Sequence, residues 1–228
     1  MRVVGKLVLC LALLSLGIVV EAHEVNKEDM LAVRALAGVQ LGHYIWLGAK
    51  HMVTGYDHLL FLLGVIFYIV RLRDVLILVT LFALGHSLTL IFGVLLGWSV
   101  NPNLIDAIIG LSVIYKGVDN LGGLTSIFGE RPQEKIVVFA FGLFHGLGLA
   151  TRLQALAVRD DGLIANLLAF NIGVELGQVV ALLVALCLLN YVPMLRDNRA
   201  VATTVNIAIV AAGIALVVYQ LNQYFQVA

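Results

Sequence analysis

The sequence is poor in charge and in cysteine, and each shortage excludes a class of protein. Only 12% of the 228 residues are charged, with 14 basic residues against 14 acidic ones. Without a basic stripe or a Lys/Arg tract, the chain lacks the features of a nucleic-acid-binding protein. The two cysteines, Cys10 and Cys187, are too few for a thiolate metal cluster. Cys187 lies in a hydrophobic run, which is typical of a small core residue.

What the sequence has in excess is apolar residues. Hydrophobic residues make up 61% of the chain, whereas a soluble domain is roughly half apolar and a quarter charged. Several runs exceed the roughly 20 apolar residues that a helix needs to cross a bilayer. We therefore predict an all-α fold, a polytopic membrane protein whose helices form a single bundle.

The N-terminus has the pattern of a secretory signal peptide at residues 1–22. Arg2 and Lys6 precede the apolar run LVLCLALLSLGIVV, and Ala22 ends a plausible cleavage site. Cleavage there would make His23 the mature N-terminus, where an amine and an imidazole together could bind metal. An ordinary exposed histidine is the alternative, and retention of the segment as an anchor stays open.

Three further regions follow the signal peptide. Residues 23–55 carry helical apolar spacing among polar residues, which predicts an amphipathic segment at the outer membrane surface. Residues 222–228 form a short tail. Between them we predict a transmembrane domain of six helices over 56–221, with spans near 56–72, 74–98, 103–121, 134–156, 163–191 and 201–221.

The distribution of Lys and Arg predicts the orientation. With the signal removed, three loops face the cytoplasm and carry most of the loop basic residues, which are Arg71, Arg73, Arg131, Lys135, Arg196 and Arg199. The opposite loops hold Arg152 and Arg159. The mature N-terminus and the C-terminus are therefore predicted to lie outside the cytoplasm.

Ionisable and amide side chains occur inside the predicted spans, where they are costly and usually face the bundle interior. At about 1.5 Å per residue, these groups fall in the outer half of the membrane or near its midplane. For a single histidine, a hydrogen bond to a backbone carbonyl would suffice as an explanation. Several histidines at matched depth instead predict a shared site for a divalent transition metal. The candidate ligands are His58, His86, His145, Glu175 and Asp57, and Asn171 and Gln178 are further polar candidates.

Two other patterns have simpler interpretations. Lys116 and Asp119 are spaced for an i, i+3 ion pair near the cytoplasmic end of the third span. Gly142 with Gly146, and Gly173 with Gly177, have GxxxG spacing, which favours close helix packing and would also allow homo-oligomers.

Five motifs resemble the successive signatures of the HupE/UreJ family of bacterial membrane proteins. They are HMVTGYDHLLFLL, LGHSLTL, GLSVIYKGVDNL, FGLFHGLGLA and FNIGVELGQ, spread over residues 51–178. The resemblance implies a bacterial inner-membrane protein of a family described as nickel or cobalt permeases. It also implies functional roles for eight polar positions, which are His51, Asp57, His58, His86, His145, Asn171, Glu175 and Gln178. The stretch from His51 to His58 is one residue longer than the H-x4-D-H signature of nickel–cobalt transporters, so His51 would not occupy the same helix face as in that signature.

Three functions remain open from the sequence. The first is a permease or binding protein for nickel, with cobalt, zinc and copper as alternatives. The second is an intramembrane zinc hydrolase acting on a lipid or a membrane peptide, with Glu175 as general base and Ser87 or Asp57 orienting the substrate. The third is a sensor or a structural metal site. Lys116 would repel cations in an inner half with few polar groups, and this counts against permeation. The expected partners are a metal ion, nickel or zinc, and membrane lipid.

Overall fold

The computed structural model describes residues 38–69, 71–130, 132–155, 162–191 and 194–227, in which the regular elements are helices. The all-α prediction is confirmed. The predicted signal peptide and His23 lie outside the described residues. The helices are α1 (Leu41–Thr54), α2 (Tyr56–Ile66), α3 (Leu72–Leu96), α4 (Pro102–Asn120), α5 (Gly123–Phe128), α6 (Glu134–Ala155), α7 (Leu163–Tyr191), α8 (Met194–Asp197) and α9 (Arg199–Val227).

Four of these helices, α3, α6, α7 and α9, are long and apolar enough to cross a membrane. α4 has 19 residues but carries Asp106, Lys116 and Asp119. α2 has 11 residues, about 16 Å of helix, which is roughly half the hydrocarbon thickness. The long helices lie near the predicted boundaries, but the predicted count of six spans is not confirmed.

Gly55 interrupts the helix between α1 and α2, because its backbone is extended, with φ −74° and ψ 95°. The Gly55 amide still donates to the His51 carbonyl at 2.9 Å, and Leu59 N donates to the Gly55 carbonyl at 3.0 Å. A Cβ at Gly55 would lie 2.9 Å from His58 Nδ1. Glycine therefore lets an imidazole sit directly against the break.

α1 runs parallel to the first half of α7. Near the start of both helices, Asn166 accepts from the Gln40 amide at 2.8 Å and donates to the Gly38 carbonyl at 3.0 Å. Farther along, a Cβ at Gly173 would collide with the Ile45 carbonyl. α1 therefore lies alongside a candidate span, and the prediction that this segment lies at the outer surface stays a prediction.

The remaining helices form two further close pairs, α3 with α6 and α4 with α9. A Cβ at Gly146 would collide with the His86 carbonyl, and one at Gly142 would collide with the Phe82 carbonyl. Both predicted GxxxG motifs thus serve packing within the chain. α2 lies among the three pairs and contacts α1, α3, α4, α7 and α9, so its residues can meet side chains from most of the bundle.

Candidate metal centre

His58 lies in the first turn of α2, directly after the Gly55 break, and is 1% exposed. Its Nδ1 lies 3.0 Å from Oδ1 of Asp57, which is also buried. An ionised carboxylate only accepts hydrogen bonds, so His58 Nδ1 carries the proton and Nε2 keeps its lone pair. A carboxylate bonded in this way fixes the ring and raises its basicity toward a metal.

Two groups of possible metal ligands share His58. One is His51, His58 and His86, and the other is Asp57, His58 and His145. Within each group the ligand atoms lie within 4.8 Å of one another. We call these five residues the histidine centre. They come from α1, α2, α3 and α6, so the centre forms only when these four helices are packed together.

The imidazole rings make a compact cluster around His58. Its ring centroid lies 4.5 Å from that of His145, 5.2 Å from that of His51 and 6.1 Å from that of His86. The Phe82 ring lies 4.9 Å from His145. An apolar wall therefore borders the cluster on the α3 side, and it lowers the local dielectric constant.

His86 is fully buried, and neither of its ring nitrogens has a hydrogen-bond partner among the described residues. A buried polar group without a partner costs roughly 1–3 kcal/mol. A hydrogen bond to a backbone carbonyl, the simpler explanation of a membrane histidine, therefore does not account for His86. A ligand that uses one of its nitrogens would offset that cost.

His145 contacts Ser112, a residue that the sequence did not single out. Ser112 is fully buried, and its Oγ donates to the Ile109 carbonyl at 2.6 Å. The same Oγ lies 3.4 Å from His145 Nε2. Because its proton is used on Ile109, the hydroxyl accepts from Nε2–H and leaves Nδ1 of His145 as the lone-pair nitrogen. The sequence signal was slight, one serine inside the motif GLSVIYKGVDNL.

The polar residues predicted on α7 do not join the histidines as a set. Glu175 is exposed and belongs to neither ligand group. Asn171 is buried and donates to the Leu167 carbonyl at 3.2 Å, and Gln178 is buried and donates to the Val79 carbonyl at 3.3 Å. Ser87 is half-buried beside His86 and is outside both groups.

The donor set has a clear chemical preference. Both groups consist of imidazoles with at most one carboxylate, which suits nickel, cobalt, zinc or copper better than calcium or magnesium. Cys187 is exposed on α7, so its interpretation as a core residue is wrong. In a membrane-spanning helix, an exposed cysteine faces lipid.

A second polar cluster, which we call the Lys116 cluster, consists of Lys116, Asp119 and Glu134. Lys116 Nζ is 3.0 Å from Asp119 Oδ2, which confirms the predicted ion pair, and 2.7 Å from Glu134 Oε1 on α6. The sequence missed Glu134 because the contact joins two distant helices. The loop position assigned to Arg152 is wrong, since Arg152 lies in α6 and pairs with buried Asp106.

The comparison with protein families finds a match over most of the chain. The family model of the HupE / UreJ protein covers residues 27–228. The chain belongs to the HupE/UreJ family. The match extends the region of resemblance from the motifs at 51–178 to nearly the whole chain and includes α9. No curated protein and no solved structure matches the chain.

Proposed function

We propose that this HupE/UreJ protein binds and transports a divalent transition metal ion, with nickel the preferred cargo. The observation that carries the proposal is the cluster of buried imidazoles around His58, with the carboxylate of Asp57 and two adjoining ligand groups. Imidazole is a common ligand for nickel, cobalt, copper and zinc. Family membership supports the same cargo, because the family is described as nickel or cobalt permeases.

The broken helix supports transport in particular. Transporters often place ion sites near the membrane midplane, where a discontinuous helix exposes backbone and side chains to the ion. In this chain, His51, Asp57 and His58 flank the break at Gly55. Two ligand groups sharing one histidine also offer an ion neighbouring positions, and multiple weak positions are what release requires.

We place the protein in the bacterial inner membrane, with the mature N-terminus and the C-terminus on the periplasmic side. The loop basic residues support this orientation. The cargo then reaches the centre from the α1 side. Glu175 is left out of the proposed ligand set because its side chain is exposed.

The experiment pairs uptake with bound metal. Cells producing the full chain are given radioactive nickel, and purified protein is analysed for bound nickel, cobalt, zinc and copper. The double variant His86→Ala/His145→Ala should lose both uptake and bound metal. The control His43→Ala lies on α1 outside both ligand groups and should keep them. Equal uptake in the double variant and the wild type would contradict the proposal.

The same measurement separates the two other functions. Tightly held zinc with no uptake, together with cleavage of lipid or membrane peptide, would favour the hydrolase. Tightly held metal with neither uptake nor cleavage would favour a structural site or a sensor.

A further inference from the structure

A large cavity opens at the end of the bundle where α2 ends and where α3 and α6 begin. Its volume is about 650 Å³, enough for roughly 20 waters at 30 Å³ each. Both signs of charge line it, with Asp74 and Glu134 acidic and Arg71 and Lys135 basic. These charged residues are exposed, so the cavity is open to solvent. We call this cavity the inner vestibule.

A second, much smaller cavity lies between the inner vestibule and the histidines. Its volume is about 10 Å³, close to the minimum of roughly 10–15 Å³ that one water needs. His58 lines it, together with apolar residues that include Leu78 and Val138. Gln178 adds an amide. A hydrated ion cannot pass through this space as it stands.

Leu78 lines both cavities. Its side chain is 4% exposed, and it borders both the open vestibule and the space beside His58. A hydrophobic constriction of this kind blocks ions by excluding water, and it opens when the side chains move apart.

The helices that frame the passage repeat the same order of residue types. Along α3, Asp74, Leu78, Phe82 and His86 follow one another at i, i+4 spacing, which puts them on one stripe of the helix. Asp74 lines the vestibule, Leu78 both cavities and Phe82 the small one, while His86 belongs to the centre. The stripe runs about 18 Å from carboxylate to imidazole.

α6 repeats that order beside it. Glu134 lines the vestibule, Val138 lines the small cavity one turn later, and His145 belongs to the centre two turns beyond. The positive charge of Lys116, which counted against permeation, is also neutralised. Lys116 lies against both Asp119 and Glu134, so its ammonium presents little net repulsion to an ion in the vestibule.

We infer that the inner vestibule is the release route for the metal ion and that Leu78 is the gate between it and the histidine centre. This inference rests on the proposed transport function. An ion leaving His58 would pass Leu78 when the side chain swings aside and would regain its water shell among Asp74 and Glu134.

Accessibility of a cysteine tests the route without any transport. Leu78→Cys is made in the full chain carrying Cys10→Ser and Cys187→Ser, because exposed Cys187 would otherwise react. Membrane vesicles of either orientation are treated with a charged, membrane-impermeant thiol reagent. Lys135→Cys marks the vestibule side, and Leu90→Cys, fully buried on the same helix α3, is the matched control.

We expect Leu78→Cys to be labelled in the vesicles that label Lys135→Cys, and Leu90→Cys to stay unlabelled. Labelling of Leu78→Cys only from the opposite face would overturn the route. So would failure to label it in either orientation.

Two substitutions of Leu78, one to a larger side chain and one to a smaller side chain, test the gate. Leu78→Trp should block nickel uptake while the purified protein keeps its bound metal. Leu78→Ala should widen the constriction and speed the loss of bound metal from the purified protein. Leu78→Met is the conservative control and should resemble the wild type.

The outcomes distinguish the gate from the function on which it rests. If His86→Ala/His145→Ala retains uptake, the transport proposal fails whatever Leu78 does. If that double variant loses uptake but Leu78→Trp and Leu78→Ala both behave as wild type, the gate alone is wrong.

Discussion

The bundle contains two polar clusters that are built in opposite ways. At the Lys116 cluster, one cation lies within 3.0 Å of two carboxylate oxygens, so each charged group has a partner of opposite sign. At the histidine centre, imidazoles from three other helices lie around His58, and one buried carboxylate, that of Asp57, lies beside it. His86 has no hydrogen-bond partner for either ring nitrogen among the described residues.

This difference is why we interpret the Lys116 cluster as structural and propose the histidine centre as the binding site. Buried polar groups are normally satisfied by their neighbours, because each unsatisfied group costs free energy. The Lys116 cluster obeys this rule and joins α4 to α6. The histidine centre departs from it in a way that a bound metal ion would correct.

The largest expected effect comes from removing the histidine that both ligand groups share. His58→Ala should lower metal affinity by more than the roughly 10- to 100-fold that losing an outer-shell partner costs. Titration of the purified protein with nickel measures it. Lys116→Met is the matched control at the other cluster. Equal losses of nickel affinity in the two variants would contradict the claim that only the histidine centre binds the metal.

Lys116→Met should instead act on stability. It leaves Asp119 and Glu134 without their cation, which we expect to cost about 1 kcal/mol, because Glu134 is exposed and water can solvate its carboxylate. The thermal unfolding midpoint of the detergent-purified chain should fall. The double variant Lys116→Met/Glu134→Gln should recover part of the loss, because it also removes one of the stranded carboxylates. An unchanged midpoint in the single variant would show that the cluster is not structural.

Ser112→Ala tests how the centre is oriented, and we expect a smaller effect of about tenfold on nickel affinity. Without the hydroxyl, Nε2–H of His145 has lost its acceptor, and the ring is free to turn Nδ1 away from the metal. Ser112→Thr keeps a hydroxyl and should restore most of the affinity. If Ser112→Ala binds nickel as tightly as the wild type, the serine does not position His145.

Glu175→Gln should have the smallest effect. Its exposed position outside both ligand groups predicts unchanged nickel affinity. A loss of affinity as large as that of His86→Ala would return Glu175 to the ligand set that the sequence predicted.

Much of the helical fold could be read from the sequence because long apolar runs determine it. The predicted span at 163–191 has the same bounds as α7, Leu163–Tyr191. The orientation of Glu175 could not be predicted in the same way, since a helix that is apolar on all sides carries no signal for which face is buried. Only packing decides that face.

The boundary between α1 and α2 was predicted, because the sequence assigned residues 23–55 and 56–72 to separate segments and α2 begins at Tyr56. Helical periodicity missed how closely the break brings His51 to His58. In one continuous helix, the seven-residue spacing from His51 to His58 would put both residues on one face, two turns and about 10 Å apart. Gly55 interrupts that helix, and the rings lie 5.2 Å apart. Likewise, the contact between Lys116 and Glu134 depends on how α4 meets α6, which local sequence does not encode.

The most direct test of the central claim is X-ray absorption spectroscopy of the purified full chain loaded with nickel. The account predicts a first shell of nitrogen and oxygen with the scattering pattern of several imidazoles, lost in His58→Ala and kept in Lys116→Met. A shell made only of water or carboxylate oxygens, or an imidazole pattern unchanged in His58→Ala, would contradict it.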